Sequence, residues 1–164
     1  LDCAPHAGHA HLTRLQRAHP ALSIVTQNID GLHQRSGSRV AAELHGSLWR
    51  MRCARHGVRD DAGAGRFETR RCPQCGSTLR PDITWFGDSV DEGVFDRARA
   101  LIDACDLFVS IGTSVVVWPA AGLIPFARRP RPWLVEINPE ETEGSAQFDD
   151  VFRGPASALA EVLA

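Results

Sequence analysis

The sequence predicts an α/β protein in which a doubly wound parallel sheet carries a small inserted module. Short apolar runs alternate with segments of helical periodicity, which is typical of parallel strands joined by helices. Residues 47–88 break this alternation, because they are rich in Arg, Gly and Cys and show no sustained period. We therefore predict one sheet domain from residues 1–46 and 89–164, with residues 47–88 inserted. A chain of 164 residues is long enough for this arrangement.

The first half of the predicted sheet domain begins with a helix and a strand. Residues 5–18 place leucines on one side of a helix, and the apolar run 21–25 follows as a buried strand. After the insert, a capping box is predicted to open a helix at Ser89, with Glu92 three residues further on. The strand 107–111 follows this helix directly.

The second half repeats the alternation and fixes where a ligand is expected. Pro119 is predicted to begin a helix that runs through Ala127, residues 133–137 form a third strand, and Pro155 begins the last helix. In a doubly wound sheet, ligands bind beyond the carboxyl ends of the strands. The polar segments that follow the three strands are residues 26–31, 112–114 and 138–140.

Composition excludes several classes of function. The net charge is -2 without a basic block, which argues against a nucleic-acid partner, since phosphate binding needs clustered cations. Apolar residues make up 43% of the chain, but no apolar run approaches the roughly 18 residues of a membrane span. We expect no membrane partner, and because no leader sequence is visible, we expect a cytoplasmic protein.

Two short pairs of metal-ligating residues lie in the insert. Cys53 and His56 form the first pair, and Cys72 and Cys75 form the second after a gap of 15 residues. Such spacing predicts structural zinc held by three thiolates and one imidazole. The alternative is that Cys72 and Cys75 are a redox pair or buried thiols.

Three further features have both a functional and a structural interpretation. His45 stands just before the insert, where an imidazole suits general-base catalysis, or it is a hydrogen-bonded structural residue. The segment 112–114 can hold a phosphate or ribose through N–H and hydroxyl donors, or it is an ordinary turn. The apolar segment 82–87 can add a peptide as a strand, or it packs the insert onto the sheet.

Taken together, these motifs resemble the sirtuins. The order and spacing match over the whole chain, and the segments that carry the resemblance are 26–33, 43–46, the cysteine pairs, 80–87, 112–114 and 137–138. The short loops of the insert and the Trp-Phe-Gly sequence are similar to the bacterial branch. The resemblance implies a Rossmann-like NAD domain with a zinc-ribbon insert. It also implies NAD-dependent removal of acetyl or other acyl groups from lysines of proteins or peptides, giving nicotinamide and O-acyl-ADP-ribose.

The resemblance also implies roles for individual residues. His45 would be the catalytic base, assisted by Asn28 and Asp30 around the nicotinamide ribose. NAD would be bound by residues from four segments: Gln27, Asn28, Ile29, Asp30, Gly112, Thr113, Ser114, Asn138, Pro139, Glu140 and Ala156. The acyl-lysine peptide would lie against Ile83, Thr84, Trp85, Phe86 and Gly87.

Two departures from the sirtuin pattern give further expectations. His56 stands where sirtuins usually have a fourth Cys. The Gly-Ala-Gly-x-Ser loop and the Arg after it would lie before Leu1, together with residues that set acyl preference. We therefore expect residues 1–164 alone to be unstable or inactive. The alternatives are ADP-ribosyl transfer by the same fold, or a catalytically incomplete NAD- and zinc-binding fragment that acts as a scaffold.

Overall fold

Two parallel sheets and one antiparallel sheet contain the strands of the part of the chain that the structure describes. This structure is a computed structural model, and it describes residues 3–60, 70–85, 87–116, 118–125 and 130–163. The helices are α1 (Ala7–Ala18), α2 (Leu32–Arg35), α3 (Glu92–Asp103) and α4 (Leu159–Val162). The strands are β1 (Ile24–Thr26), β2 (Val40–Glu43), β3 (Gly46–Cys53), β4 (Gly57–Asp60), β5 (Arg80–Ile83), β6 (Leu107–Ile111), β7 (Trp133–Ile137) and β8 (Asp150–Phe152).

The parallel pairing that the alternation predicts is confirmed. Strand β1 pairs with β2, and β6, β7 and β8 form a second sheet in that order, all parallel. Strands β6 and β7 have the bounds expected from their apolar runs. The apolar core of the second sheet consists of Val135 and Ile137 with Leu159 of α4, and Leu12 of α1 packs against it.

A second apolar cluster joins β2 to the helix that follows the insert. Ala42 and Leu44 are buried against Ala98 and Ile102 of α3. Val25 and Phe108 pack at its margin, so strands of both parallel sheets contact the same cluster. This burial fixes the position of the turn after β2.

Helix α1 begins in a cluster of three imidazoles. The His6 Nδ1 accepts a hydrogen bond from the Gly8 N–H at 3.0 Å, and the His9 Nδ1 accepts one from the His6 N–H at 3.3 Å. The His9 ring lies 4.1 Å from the His6 ring and 4.8 Å from the His33 ring, measured between centroids. Burial, with the charges of His6 and His33, lowers the pKa of His9 to about 4. His9 is therefore neutral at pH 7.

Three helix boundaries differ from the sequence prediction. The last helix, predicted from Pro155, begins as the 3-10 turn Ala156–Ala158 and is α-helical only from Leu159. Helix α3 is capped by Asp91, whose carboxylate accepts the Val94 N–H at 3.0 Å, and the predicted cap at Ser89 is wrong. An aspartate next to the first turn also stabilises the positive end of the helix dipole, which a serine two residues upstream does not. After Pro119 the chain forms only a 3-10 turn, Ala120–Leu123, and residues 126–129 lie outside the described part.

The insert is built on an antiparallel sheet. Strand β3 lies in the middle and pairs with β4 on one side and β5 on the other. Gly46, at its start, has φ +76°, and a Cβ there would lie 2.0 Å from the Asp82 carbonyl oxygen. The close approach of β3 and β5 therefore requires glycine. Among the described residues, no helix has the length and apolarity needed to cross a membrane.

Candidate active site and metal site

The first predicted cofactor segment and His45 follow two paired strands at the same edge of a sheet. In the parallel pair of β1 and β2, Thr26 lies opposite Glu43. The chain then continues into Gln27 from β1 and into Leu44 and His45 from β2. The Leu44 N–H donates to the Thr26 carbonyl at 2.8 Å, and this hydrogen bond joins the carboxyl ends of the two strands.

Residues 27–31, which we name the nicotinamide loop after the ligand that the sirtuin resemblance predicts for them, are constrained by short-range hydrogen bonds. The Asn28 N–H donates to the Thr26 Oγ1 at 3.0 Å, and the Leu32 N–H donates to the Asp30 Oδ1 at 2.9 Å. Asn28 is exposed, whereas Gln27 and Asp30 are half-buried. The loop therefore presents an exposed side-chain amide next to a fixed carboxylate.

His45 lies in the turn between β2 and β3, at the boundary between the first parallel sheet and the insert. Its carbonyl accepts the Thr84 N–H at 3.0 Å, so its backbone is joined to the predicted peptide-binding segment. Its Nδ1 is buried and has no hydrogen-bond partner among the described residues. Such unpaired buried nitrogens are uncommon, and among the described residues the His33 Nδ1 is the other example.

The predicted peptide-binding segment is the continuation of β5. Ile83 pairs with Gly46, and Thr84 bonds to His45, as described above. The Trp85 side chain is 52% exposed, and Gly87 has φ +93°. Phe86 lies outside the described residues. A cavity of about 600 Å³ opens beside this segment, lined by residues 88–90 and by the first two turns of α3.

The second group of predicted cofactor residues meets at the carboxyl edge of the other parallel sheet. The Asn138 amide N–H donates to the Thr113 carbonyl at 3.0 Å, and its Oδ1 accepts the Glu140 N–H at 3.2 Å. Asn138 is thus the link between the segments 112–114 and 138–140. Gly112 has φ +62°, and no atom lies within 4 Å of a Cβ built there, so its backbone is open to a ligand.

The next predicted cofactor residue, Ala156, is positioned by α1. A Cβ built on Gly8 would lie 2.0 Å from the Ala156 carbonyl oxygen. Gly8 therefore allows α1 to contact the short turn Ala156–Ala158 closely. Pro139 and Glu140 are exposed at the same carboxyl edge, as a site for a bound molecule requires.

Two residues of the site were missed by the sequence reasoning, and both lie on β3. The Trp49 indole N–H donates to the Asp30 carbonyl at 2.6 Å. Arg50 lies between two carboxylates: it forms an ion pair with Glu43 and another, at 3.1 Å, with Asp82. Neither residue belongs to a motif. The sequence feature that could have indicated the Trp49 contact is Gly31 of the nicotinamide loop, against which the indole packs.

The four predicted metal ligands of the insert are brought together. Their ligand atoms all lie within 4.8 Å of one another. The Cys53 Sγ is 3.7 Å from the Cys75 Sγ and 3.6 Å from the His56 Nδ1, and the Cys72 Sγ is 3.4 Å from that nitrogen. Zinc bonds of about 2.3 Å to sulfur and 2.0 Å to nitrogen give a tetrahedron with edges of about 3.5 to 3.8 Å. The donor set therefore fits zinc.

The environment of the second cysteine pair favours the thiolates that zinc requires. Burial opposes ionisation of the Cys72 thiol, but the N–H groups of Gln74 and Cys75 lower its pKa to about 6. The hydroxyl and the N–H of Ser77 lower the pKa of Cys75. All four positions are filled by side chains, so a bound zinc ion would be structural and would leave no position for water.

Comparison with known proteins supports the same family. The model of the Sir2 family matches residues 1–119. The NAD-dependent protein deacylase of Aquifex aeolicus is 38% identical over 161 aligned positions, in an alignment that covers 93% of this chain and 65% of that protein. That of Methylococcus capsulatus is 36% identical over 174 aligned positions, gaps included, in an alignment that covers 99% of this chain and 68% of that protein. The chain thus spans about two thirds of the length of these relatives.

Solved structures agree with these relatives. A Sir2 homolog in complex with NAD has a TM-score of 0.88 at 35% identity, with coverage of 99% of this chain and 64% of that one. A Sir2 homologue in complex with 2'-O-acetyl ADP ribose has a TM-score of 0.85 at 34% identity, with coverage of 98% of this chain and 65% of that one. A Sir2 complex with a p53 peptide and NAD+ has a TM-score of 0.85 at 28% identity, with coverage of 99% of this chain and 70% of that one. The chain belongs to the Sir2 family.

Proposed function

We propose that the protein containing this chain removes acyl groups from protein lysines with NAD as co-substrate. The products would be free lysine, nicotinamide and O-acyl-ADP-ribose. The observation that carries the proposal is the position of His45, which is hydrogen-bonded through its backbone to the peptide-binding segment and emerges beside the nicotinamide loop. Relatives of this chain are named NAD-dependent protein deacylases, and related structures contain NAD and an acetylated ADP ribose.

The residues at the two sheet edges fit a dinucleotide. The exposed Asn28 amide and the carboxylate of Asp30 suit a carboxamide and ribose hydroxyls. The open backbone at Gly112 and the exposed Ser114 suit phosphate or ribose oxygens. NAD would supply the ribose carbon that the acyl oxygen attacks as nicotinamide leaves.

The chain's own residues would orient the reactants and move one proton. His45 would act as the base that takes a proton from a ribose hydroxyl, since a neutral imidazole accepts a proton near pH 7. The segment Ile83, Thr84, Trp85, Phe86 and Gly87 would bind the acyl-lysine peptide as an added strand. Asn28 and Asp30 would hold the nicotinamide end of NAD, and Asn138 would fix the two loops at the adenosine end.

The insert would have a structural role in this enzyme. Zinc bound by Cys53, His56, Cys72 and Cys75 would fix the far end of β3. We also propose a cytoplasmic location, which is supported by cysteines clustered at metal-ligand spacing, since disulfides are rare in reducing compartments.

The test is nicotinamide release from NAD with an acetyl-lysine peptide. It uses the whole protein in which residues 1–164 occur, because the relatives are longer than this chain. We expect nicotinamide and O-acetyl-ADP-ribose from the wild type and loss of both with His45→Ala. His19→Ala, which removes an exposed imidazole at the end of α1, is the matched control and should keep full activity. A wild type that releases no nicotinamide with acetyl, succinyl or longer acyl peptides would overturn the proposal.

A further inference from the structure

We propose that Trp49 is a positioning residue that holds the nicotinamide loop from the inserted module. The assignment of this loop to NAD rests on the proposed function, whereas the contact itself does not. The Trp49 indole N–H donates to the Asp30 carbonyl at 2.6 Å. One residue earlier on β3, the Leu48 N–H donates to the Ile29 carbonyl at 2.9 Å. Two consecutive residues of β3 therefore hold two consecutive carbonyls of the loop.

The absence of a side chain at Gly31 makes room for the Trp49 indole. It has φ +69°, and a Cβ built on it would lie 2.4 Å from the Trp49 Nε1 and 2.5 Å from its Cδ1. Any side chain at position 31 would displace the indole from the Asp30 carbonyl. Glycine at this position therefore serves both the left-handed turn and the close approach of the ring.

The remaining hydrogen bonds of the loop do not replace this contact. Those of Asn28 and Leu32 are formed with atoms of Thr26 and Asp30, within or next to the loop itself. The two bonds from β3 connect the loop to a different sheet. Strand β3 begins directly after His45 and ends at the metal ligand Cys53, so Trp49 joins the loop to the strand that connects these two residues.

Loss of the indole N–H should therefore change the NAD-dependent steps selectively. A phenyl ring fills much of the same space but leaves the Asp30 carbonyl without its donor, so the loop would adopt other conformations. A hydrogen-bond loss of this kind corresponds to a decrease of about ten-fold in kcat/KM for NAD. The KM for the peptide should change by less than about two-fold, because the Trp49 indole N–H donates to Asp30 and to none of the described residues of the peptide-binding segment.

The experiment compares Trp49→Phe with Trp133→Phe in the whole protein. The Trp133 indole N–H also donates to an oxygen, the Asp150 carboxylate at 2.8 Å, but at an exposed site on β7. Both variants lose the same donor group, so we expect only Trp49→Phe to lower kcat/KM for NAD. Zinc content and melting temperature are measured beside the kinetics. Equal kcat/KM for NAD in the two variants, or equal losses in the NAD and peptide parameters of Trp49→Phe, would overturn the proposal.

Two further measurements keep the proposal testable if Trp49→Phe folds poorly or the wild type shows no turnover. Gly31→Ala disturbs the same contact from the loop side without changing β3, and it should give the same selective loss for NAD. Hydrogen exchange in the unliganded protein needs no activity. It should be at least about ten-fold faster at the Asn28 and Leu32 amides in Trp49→Phe than in Trp133→Phe. Unchanged exchange would refute the positioning role, whereas an inactive wild type would refute only the proposed function.

Discussion

Glu136, in the middle of β7, offers a direct test of how the adenosine side of the site is held. Its carboxylate is fully buried and accepts hydrogen bonds from the Thr142 and Ser145 hydroxyls at 2.6 and 2.5 Å, and from Arg153 at 2.9 Å. Burial alone would raise the pKa of Glu136, but these three donors and the charge of Arg153 lower it. The residue is therefore ionised at pH 7 and fixes the chain after Asn138.

The substitution Glu136→Gln keeps the shape and removes the charge. The amide can accept through only one of its two polar atoms, so at least one donor loses its partner inside the protein. Breaking a buried ion pair costs about 3 to 5 kcal/mol. Because Arg153 is 38% exposed and regains water, we expect a loss of about 2 to 3 kcal/mol in the free energy of unfolding.

Urea denaturation at pH 7 measures this loss. Glu161→Gln, at an exposed position of α4, is the control and should change the free energy of unfolding by less than about 0.5 kcal/mol. The folded-state pKa of Glu136 lies below its value in the unfolded chain. Its contribution is therefore present above about pH 4.5 and is lost as the pH falls through the folded-state value. A change below about 1 kcal/mol at pH 7, or one that persists in acid, would refute this reasoning.

Three further predictions concern other parts of the site. Arg50→Met removes the cation that pairs with Glu43, whereas Asp82 keeps its ion pair with Arg52. The variant should cost about 2 kcal/mol in urea denaturation, against less than about 0.5 kcal/mol for the exposed Arg80→Met. The pKa of His9 falls from 6.5 to about 4 on folding. As the pH falls from 6.5 to about 4, the free energy of unfolding of the wild type should therefore decrease by about 2 kcal/mol more than that of His9→Gln. Equal pH profiles of stability in the two proteins would contradict this. His56→Ala should weaken zinc binding at least about ten-fold in a chelator competition, and His56→Cys should restore it; an unchanged affinity would remove His56 from the ligand set.

Two of the three strands of the second parallel sheet were predictable because their sequences are mostly apolar. Strands β6 and β7 are apolar runs, and their bounds agree with the prediction. Strands β2 and β8 were not predicted, because they are short and contain Glu43 and Asp150, which face partners that the local sequence does not reveal. The cap of α3 was wrong for a related reason, since Ser89 and Asp91 both fit a capping pattern and only the fold selects between them.

The site was predictable where ligand chemistry restricts spacing. The two pairs of metal ligands come together as expected, because zinc demands four donors at fixed distances. Trp49 and Arg50 had no such signal. The partner of Trp49 lies 19 residues away along the chain and those of Arg50 lie 7 and 32 residues away, all in other elements. Contacts of this kind depend on how the insert packs against the nicotinamide loop, which residue spacing does not encode.

The stoichiometry of products, when the whole protein turns over NAD with an acetyl-lysine peptide, distinguishes deacylation from ADP-ribosyl transfer. We expect one nicotinamide and one O-acetyl-ADP-ribose for each lysine freed. Mass spectrometry quantifies all three products in the same reaction. Nicotinamide release with ADP-ribose attached to the peptide, and no freed lysine, would instead indicate ADP-ribosyl transfer. That result, or the absence of any nicotinamide release, would contradict the deacylase assignment.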